Sequence, residues 1–144
     1  MKKMICLVVV VLMIAAVAIA QKKTAITAKD LPALKGTYTG IISFGLGGSE
    51  ADTSPCTLEI LNDTVPIKGK LTIANIKDQI ASRLGIQGGQ KVKENDDGAL
   101  TSMGTIVWAG TEKNFLEASS GGAKTLKLYY YFRGLRGEGT LKKK

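Results

Sequence analysis

The sequence contains no histidine and only two cysteines, three prolines and one tryptophan among its 144 residues. Without histidine, the chain has no His-based catalytic triad and no His-ligated metal site. Neighbouring carboxylates such as Asp96 and Asp97 fall at expected turns or outward strand positions, where acids are normally solvated. We therefore predict no catalytic residues, no metal site and no cofactor, and we interpret the protein as a non-enzyme.

Cysteine and arginine are scarce, and each scarcity argues against a class of interaction. Cys6 falls in an apolar leader, so Cys56 stands alone in the rest of the chain and no internal disulfide is expected. We predict that Cys56 is a buried strand residue. The net charge of +8 comes mostly from lysine, with three arginines in all. Because arginine is preferred for bidentate phosphate and base contacts, this composition argues against specific nucleic-acid recognition.

The long apolar run over residues 5–20 follows a positively charged start and ends in Ala18-Ile-Ala20. This pattern predicts a signal peptide over residues 1–20, cleaved after Ala20. An uncleaved anchor is the alternative, but sixteen apolar residues are short for a span of about 20. We expect an exported protein, periplasmic or extracellular, with no stable transmembrane span after cleavage. Residues 21–34 are then a leader, 35–141 a single β domain and 142–144 a basic tail.

The stretch over residues 124–132 has the clearest strand pattern. With a period of two, its side chains divide into an apolar set and a wetter set, as in a half-buried strand. The apolar set is Leu126, Leu128, Tyr130 and Phe132, and the wetter set is Thr125, Lys127, Tyr129 and Tyr131. Such a strand needs partners on both edges and a second layer against its apolar face.

Similar patterns divide the remaining chain into strands and turns. Strands are predicted over residues 36–44, 56–60, 66–73, 90–94, 100–109 and 115–118, with 90–94 as an edge or exposed strand. Turns or loops are predicted at 30–33, 45–55, 62–63, 95–98, 110–113 and 119–122, and the tail at 142–144 is predicted to be frayed. Gly40, inside the first strand, indicates a bend or a close backbone approach.

One segment has a helical period instead. Ile76, Ile80 and Leu84 are four residues apart, which predicts a short helix over residues 76–84, capped by Asn75 and Gly85. The whole pattern predicts an all-β fold. We expect an antiparallel up-and-down barrel or a two-sheet sandwich of about seven or eight strands, with this one helix over an open end or edge.

The segment Leu34-Lys-Gly-Thr-Tyr-Thr-Gly40 resembles the first strand of calycin-type barrels, the lipocalin and avidin group. Those barrels begin with a Gly-x-Trp motif, over which a cation from the last strand packs. In this chain Tyr38 replaces the tryptophan, and Arg133 or Arg136 would supply the cation. The resemblance implies a barrel that takes a small apolar ligand, with Tyr38 and Arg133 as a structural pair.

Two binding hypotheses follow, and a calycin-like enzyme without histidine is a third. In the first, the barrel carries a small apolar ligand, although the same residues could simply fill the core. Its candidate interior residues are Tyr38, Phe44, Leu71, Ile73, Trp108, Tyr130 and Phe132. In the second, the protein is an interaction module that binds an envelope component through an exposed tyrosine and lysine face. Its candidate residues are Lys68, Lys70, Lys127, Tyr129 and Tyr131.

Overall fold

The computed structural model describes residues 24–45, 52–110, 115–122, 124–132 and 134–144, without the side chains of residues 93–95. The predicted signal peptide, most of the loop predicted at 45–55 and Arg133 lie outside the described residues. The described residues form eight antiparallel strands. These are β1 Gly36–Gly45, β2 Asp52–Ile60, β3 Ile67–Ile73, β4 Val92–Leu100, β5 Thr105–Ala109, β6 Phe115–Ser120, β7 Thr125–Phe132 and β8 Leu135–Lys143.

Each strand pairs with the next in the chain, and β8 pairs with β1, so the sheet closes into a barrel. This decides between the two predicted architectures in favour of the up-and-down barrel. The period-two pattern is confirmed in β7, where Leu126, Leu128 and Tyr130 are buried and Phe132 is partly buried. Gly40 makes the predicted close approach, because a Cβ at this position would clash with the Thr140 carbonyl of β8.

The turn predicted at residues 95–98 is wrong, because β4 runs unbroken from Val92 to Leu100. Glycine at position 98 leaves room for the Trp108 indole, because a Cβ at this position would lie 2.6 Å from Nε1 of Trp108. Asp97 pairs in register with Lys68 of β3. Residues 92–98 of β4 pair with β3, whereas only residues 98–100 pair with β5.

The strand predicted over residues 100–109 is also wrong at its start. Leu100 ends β4, a turn follows, and β5 begins at Thr105. Gly104 has a φ of +75° in this turn, and its N–H donates to the carbonyl of Thr101 over 3.1 Å. The predicted loop at 45–55 is shorter than expected because β2 already begins at Asp52. Likewise, the predicted turn at 119–122 loses two residues to β6, which ends at Ser120.

The last strand, β8, was not predicted. Leu135–Lys143 pairs along both β7 and β1, so Lys142 and Lys143 belong to the sheet and not to a frayed tail. Gly137 faces the interior, where a Cβ would lie 2.8 Å from Ile42 and 2.9 Å from Phe44. Gly137 and Gly139 of β8 therefore allow residues of β1 to approach closely, and they do not end the strand.

Helical segments lie at both ends of the barrel. Helix α2 spans Asp78–Leu84, so it begins two residues later than predicted. Its N-cap residue is Lys77 and not Asn75. Asn75 has a φ of +51°, which is incompatible with an extended cap residue. Gly85 ends the helix in the left-handed conformation, as predicted. Ile76, which precedes the helix, and Ile80 within it are buried in the core.

The opposite end is covered by residues 24–35. The turn predicted at 30–33 is instead a 3₁₀ helix, Ala28–Asp30, followed by the short helix α1, Leu31–Leu34. Ile26, Leu31 and Leu34 are buried against the barrel. None of the helices in the described part of the chain has the length and apolar character needed to cross a membrane.

Candidate functional site

The candidate interior residues do meet inside the barrel. Tyr38, Phe44, Leu71, Ile73, Trp108 and Tyr130 are buried, and Phe132 is partly buried beside them. The strand register forms one continuous layer around the interior from β3 through β8 to β1. Its members are Ile67, Gly98, Trp108, Leu116, Tyr130, Gly137 and Phe44.

Trp108 fills the space beside β3 and β4. A Cβ added at Gly69 or Gly98 would come within 2.7 Å of the indole, so the ring packs directly on two bare stretches of backbone. The indole Nε1–H donates to the buried carbonyl of Ile67 over 2.9 Å. This bond satisfies the polar atom of a buried tryptophan and fixes the ring.

Aromatic contacts fill the other side of the interior. The Phe44 and Tyr130 rings are arranged edge to face with their centroids 6.5 Å apart. The Tyr130 and Phe132 rings are stacked, also with centroids 6.5 Å apart. Of four concavities lined by described residues, none is lined by Phe44 or Trp108, and the one on the outer wall of β6 and β7 is lined in part by Tyr130. Six of the candidate interior residues belong to one buried core cluster, and Phe132 packs against it.

Tyr38 does lie under a cation from the last strand, but that cation is Lys143 and not Arg136. Its Nζ is 5.8 Å from the Tyr38 ring centroid and donates to the carbonyl of Ala33 over 2.6 Å. The Tyr38 hydroxyl donates to the carbonyl of Leu34 over 2.9 Å. Burial raises the pKa of Tyr38 above its ordinary value. Tyr38 and Lys143 together tie helix α1 to the barrel.

The outer wall of β6, β7 and β8 carries a second constellation, which we name the aromatic face. It consists of two rows in register across the three strands. The rows are Phe115, Tyr131 and Arg136, and Glu117, Tyr129 and Glu138. Because the two rows are two residues apart on each strand, all six side chains belong to the outer side of the sheet.

Contacts within the aromatic face hold its side chains in place. Phe115 and Tyr131 stack with ring centroids 5.5 Å apart and an angle of 20° between the planes. The Arg136 guanidinium lies 5.1 Å from the Tyr129 ring centroid and its Nε is 3.0 Å from Glu138. A concavity of about 460 Å³ is lined by Phe115, Glu117, Tyr129, Tyr130, Tyr131 and Arg136. Phe115 remains 37 % exposed although it is fully apolar.

The structure separates the predicted surface residues into two groups. Lys127 lies one row below Tyr129, beside Ser119 and Thr140, so it adjoins the aromatic face. Lys68 and Lys70 are on β3, which is four strands from β7 in either direction around the ring. They therefore lie on the opposite wall, where Lys70 is 3.9 Å from Glu59.

Sequence reasoning missed the partners of Tyr129 and Tyr131. Phe115 was placed in a strand, but its register against Tyr131 cannot be read from local pattern. Arg136 and Glu138 alternate with Gly137 in β8, and this outward alternation was the available signal. It was obscured because Gly134, Gly137 and Gly139 look like turn residues.

The described residues contain no group of three or more side chains suited to hold a metal ion. Burial raises the pKa of the Cys56 thiol to about 12, so this thiol is protonated at neutral pH and shielded from solvent. Comparison with known proteins gives no match among family models, curated proteins or solved structures.

Proposed function

We propose that the protein is an exported, non-catalytic β-barrel that acts as an interaction module of the cell envelope through its aromatic face. The observation that carries this proposal is the group of Phe115, Tyr129, Tyr131 and Arg136, in contact with one another on the outside of the barrel. The export part rests on the charged, apolar and small-residue pattern of residues 1–20.

The composition of the aromatic face favours a protein partner. Tyrosine, phenylalanine and arginine are enriched at the centres of protein interfaces, whereas lysine is depleted there. The stacked Phe115 and Tyr131 rings lose little conformational freedom on binding, because their contact already restricts them. Arg136 and Glu138 give the face charges of both signs, so a partner with polar and charged groups around an apolar centre would be complementary.

Carriage of an apolar ligand inside the barrel has less support. Trp108, Phe44 and Tyr130 occupy the space that such a ligand would need. To admit it, the barrel would have to displace buried side chains of the core cluster, at considerable cost.

A photo-crosslinking amino acid placed at Tyr131 tests the proposal in the native cells. The matched control is the same replacement at Thr72, which is similarly half-buried but lies on the opposite wall, on β3. We expect a discrete protein adduct from position 131 and none from position 72. Adducts of equal yield from both positions, or none from 131, would contradict the proposal.

The crosslinked partner then allows a quantitative test with purified proteins. Replacing a hot-spot residue of an interface, most often tryptophan, tyrosine or arginine, by alanine weakens binding by about tenfold or more. We expect Arg136→Ala and Tyr129→Ala to reduce the affinity to that extent, while Thr72→Ala leaves it unchanged. Circular dichroism of each variant checks that the barrel is intact.

A further inference from the structure

One end of the barrel gathers features that the aromatic face does not use. Because the strands alternate in direction, β1 begins and β8 ends at the same end. The loop over residues 61–66, the turn over 101–104 and the described residues 121, 122 and 124 also lie there, together with residues 24–35. We name this region the basic end.

Exposed apolar side chains are concentrated at the basic end. Of the five large hydrophobic residues that are exposed in the described part of the chain, three belong to its loops. Met103 is 80 % exposed, Val65 58 % and Leu61 50 %. Single exposed apolar residues are normal on a protein surface, but three on neighbouring loops at one end are a sign of an interaction surface.

Exposed lysines lie at the same end of the barrel, in residues 24–35, at the start of β7 and at the end of β8. They are Lys29, Lys35, Lys124, Lys142 and Lys144. Backbone hydrogen bonds anchor part of this set: the N–H of Lys143 donates to the carbonyl of Lys124, and that of Lys144 to the carbonyl of Thr37, each over 2.9 Å.

The described acids in the same segments are fewer. Asp30 is engaged by the backbone and the hydroxyl of Thr27, each over 2.7 Å, and Asp63 lies in the loop between Leu61 and Val65. Positive charge therefore predominates at this end.

We propose that the basic end docks on the surface of an anionic lipid bilayer. The lysines face the lipid phosphates, and Met103, Val65 and Leu61 enter the interfacial region. A soluble anionic polysaccharide would satisfy the lysines but would leave these apolar side chains in water. A bilayer accommodates both kinds of group, as it does for amphipathic surface segments. The docked barrel presents the aromatic face, on its side wall, to partners beside the membrane.

Vesicle co-sedimentation tests the proposal with the chain from Gln21 to Lys144, because residues 1–20 would bind lipid by themselves. This chain contains every described residue, and circular dichroism verifies its fold. The probes are vesicles of phosphatidylcholine alone and of phosphatidylcholine mixed with phosphatidylglycerol. We expect binding to the mixed vesicles that is at least about tenfold stronger and that declines as salt is added.

Variants at the basic end and elsewhere distinguish docking through this end from a general effect of net charge or of exposed apolar residues. Lys124→Gln/Lys142→Gln should weaken binding by about tenfold or more. Arg83→Gln/Lys91→Gln, which removes two exposed charges elsewhere, should leave it within about twofold. Met103→Ser/Val65→Ser should weaken binding by about threefold or more, whereas Ile41→Ser on the side wall should not.

Equal binding to both kinds of vesicle, or none to the anionic vesicles, overturns the proposal. Equal loss in the two charge variants overturns it as well, because net charge alone would then explain binding. Binding to dextran sulfate that is as strong as to vesicles, with no effect of Met103→Ser/Val65→Ser, would assign the end to a soluble polyanion instead.

Discussion

Three glycines that face the interior provide space for its large side chains. Gly69 and Gly98 lie against the Trp108 indole, and Gly137 lies against Ile42 and Phe44. Bare backbone at these positions lets large rings and small residues alternate across facing strands, which is how a narrow barrel is filled. Glycine in this chain is therefore as much an interior residue as a turn residue.

Cys56 should be unreactive in the folded protein. Its side chain is 3 % exposed, and burial raises its pKa from 9.0 to about 12. In the chain from Gln21, we expect no reaction with a thiol reagent at pH 8 under native conditions. One thiol per chain should react after unfolding in urea. Rapid native labelling would mean that β2 opens readily or that the burial is wrong.

The same shift makes stability depend on pH. Because the folded pKa of Cys56 lies above its unfolded value of 9.0, the contribution is complete below pH 9 and is lost as pH rises towards 12. Each pH unit in this window should reduce the free energy of unfolding by about 1.4 kcal/mol through this group. Urea unfolding of the wild type and of Cys56→Ala between pH 8 and 10.5 measures it. Parallel pH profiles for the two proteins would refute the assignment.

Helix α1 is an element that depends wholly on its tertiary contacts. Four residues are far too few for a helix that is stable alone. Leu31 and Leu34 are buried against the barrel, and the carbonyl groups of Ala33 and Leu34 accept hydrogen bonds from Lys143 and Tyr38. Two strands that meet side by side, β1 and β8, thus hold the segment in place.

Tyr38→Phe should loosen this segment without disturbing the barrel. The substitution keeps the ring under Lys143 but removes the buried hydrogen bond to Leu34. We expect about 1 kcal/mol less stability and faster amide hydrogen exchange at Lys35, whose N–H donates to Leu31. Tyr131→Phe, on the outer wall, is the control and should change neither quantity. Unchanged exchange at Lys35 in Tyr38→Phe would show that the hydroxyl does not secure α1.

Closure of the sheet organises the whole molecule. All eight strands of the described chain have two neighbours, and this pairing closes the sheet into a barrel. Buried apolar side chains form one core cluster, helical segments lie at both ends of the barrel, and the aromatic face lies on its outer wall.

Trp108 gives a direct test of the filled interior, because it is the sole tryptophan in the chain. Titration with a fatty acid or an apolar dye should leave its fluorescence intensity and emission maximum unchanged, since no ligand reaches the ring. N-acetyltryptophanamide corrects for absorption by the ligand. Saturable quenching with a spectral shift would restore the hypothesis of an internal ligand.

Local pattern predicted elements whose two faces differ in polarity. In β1 and β7, apolar and polar residues alternate in sequence, and in α2 isoleucine and leucine recur every four residues. Local pattern failed where the identity of a residue is explained by contacts with residues distant in the sequence. The sequence of residues 95–98 is typical of a turn, but Gly98 is in a strand and packs against Trp108. The glycines of β8 are typical of a loop, but Gly137 is in a strand and packs against Phe44.

The sequence by itself determined which side chains of each alternating strand face inward, because that choice depends only on the strand period and on hydrophobic burial. Only the tertiary structure decided which outer residues are neighbours. Pairing around a closed ring joins Tyr131 to Phe115 and Arg136 and sets Lys68 and Lys70 on the opposite wall. Strand order and register arise from contacts distant in sequence, so no local pattern specifies them.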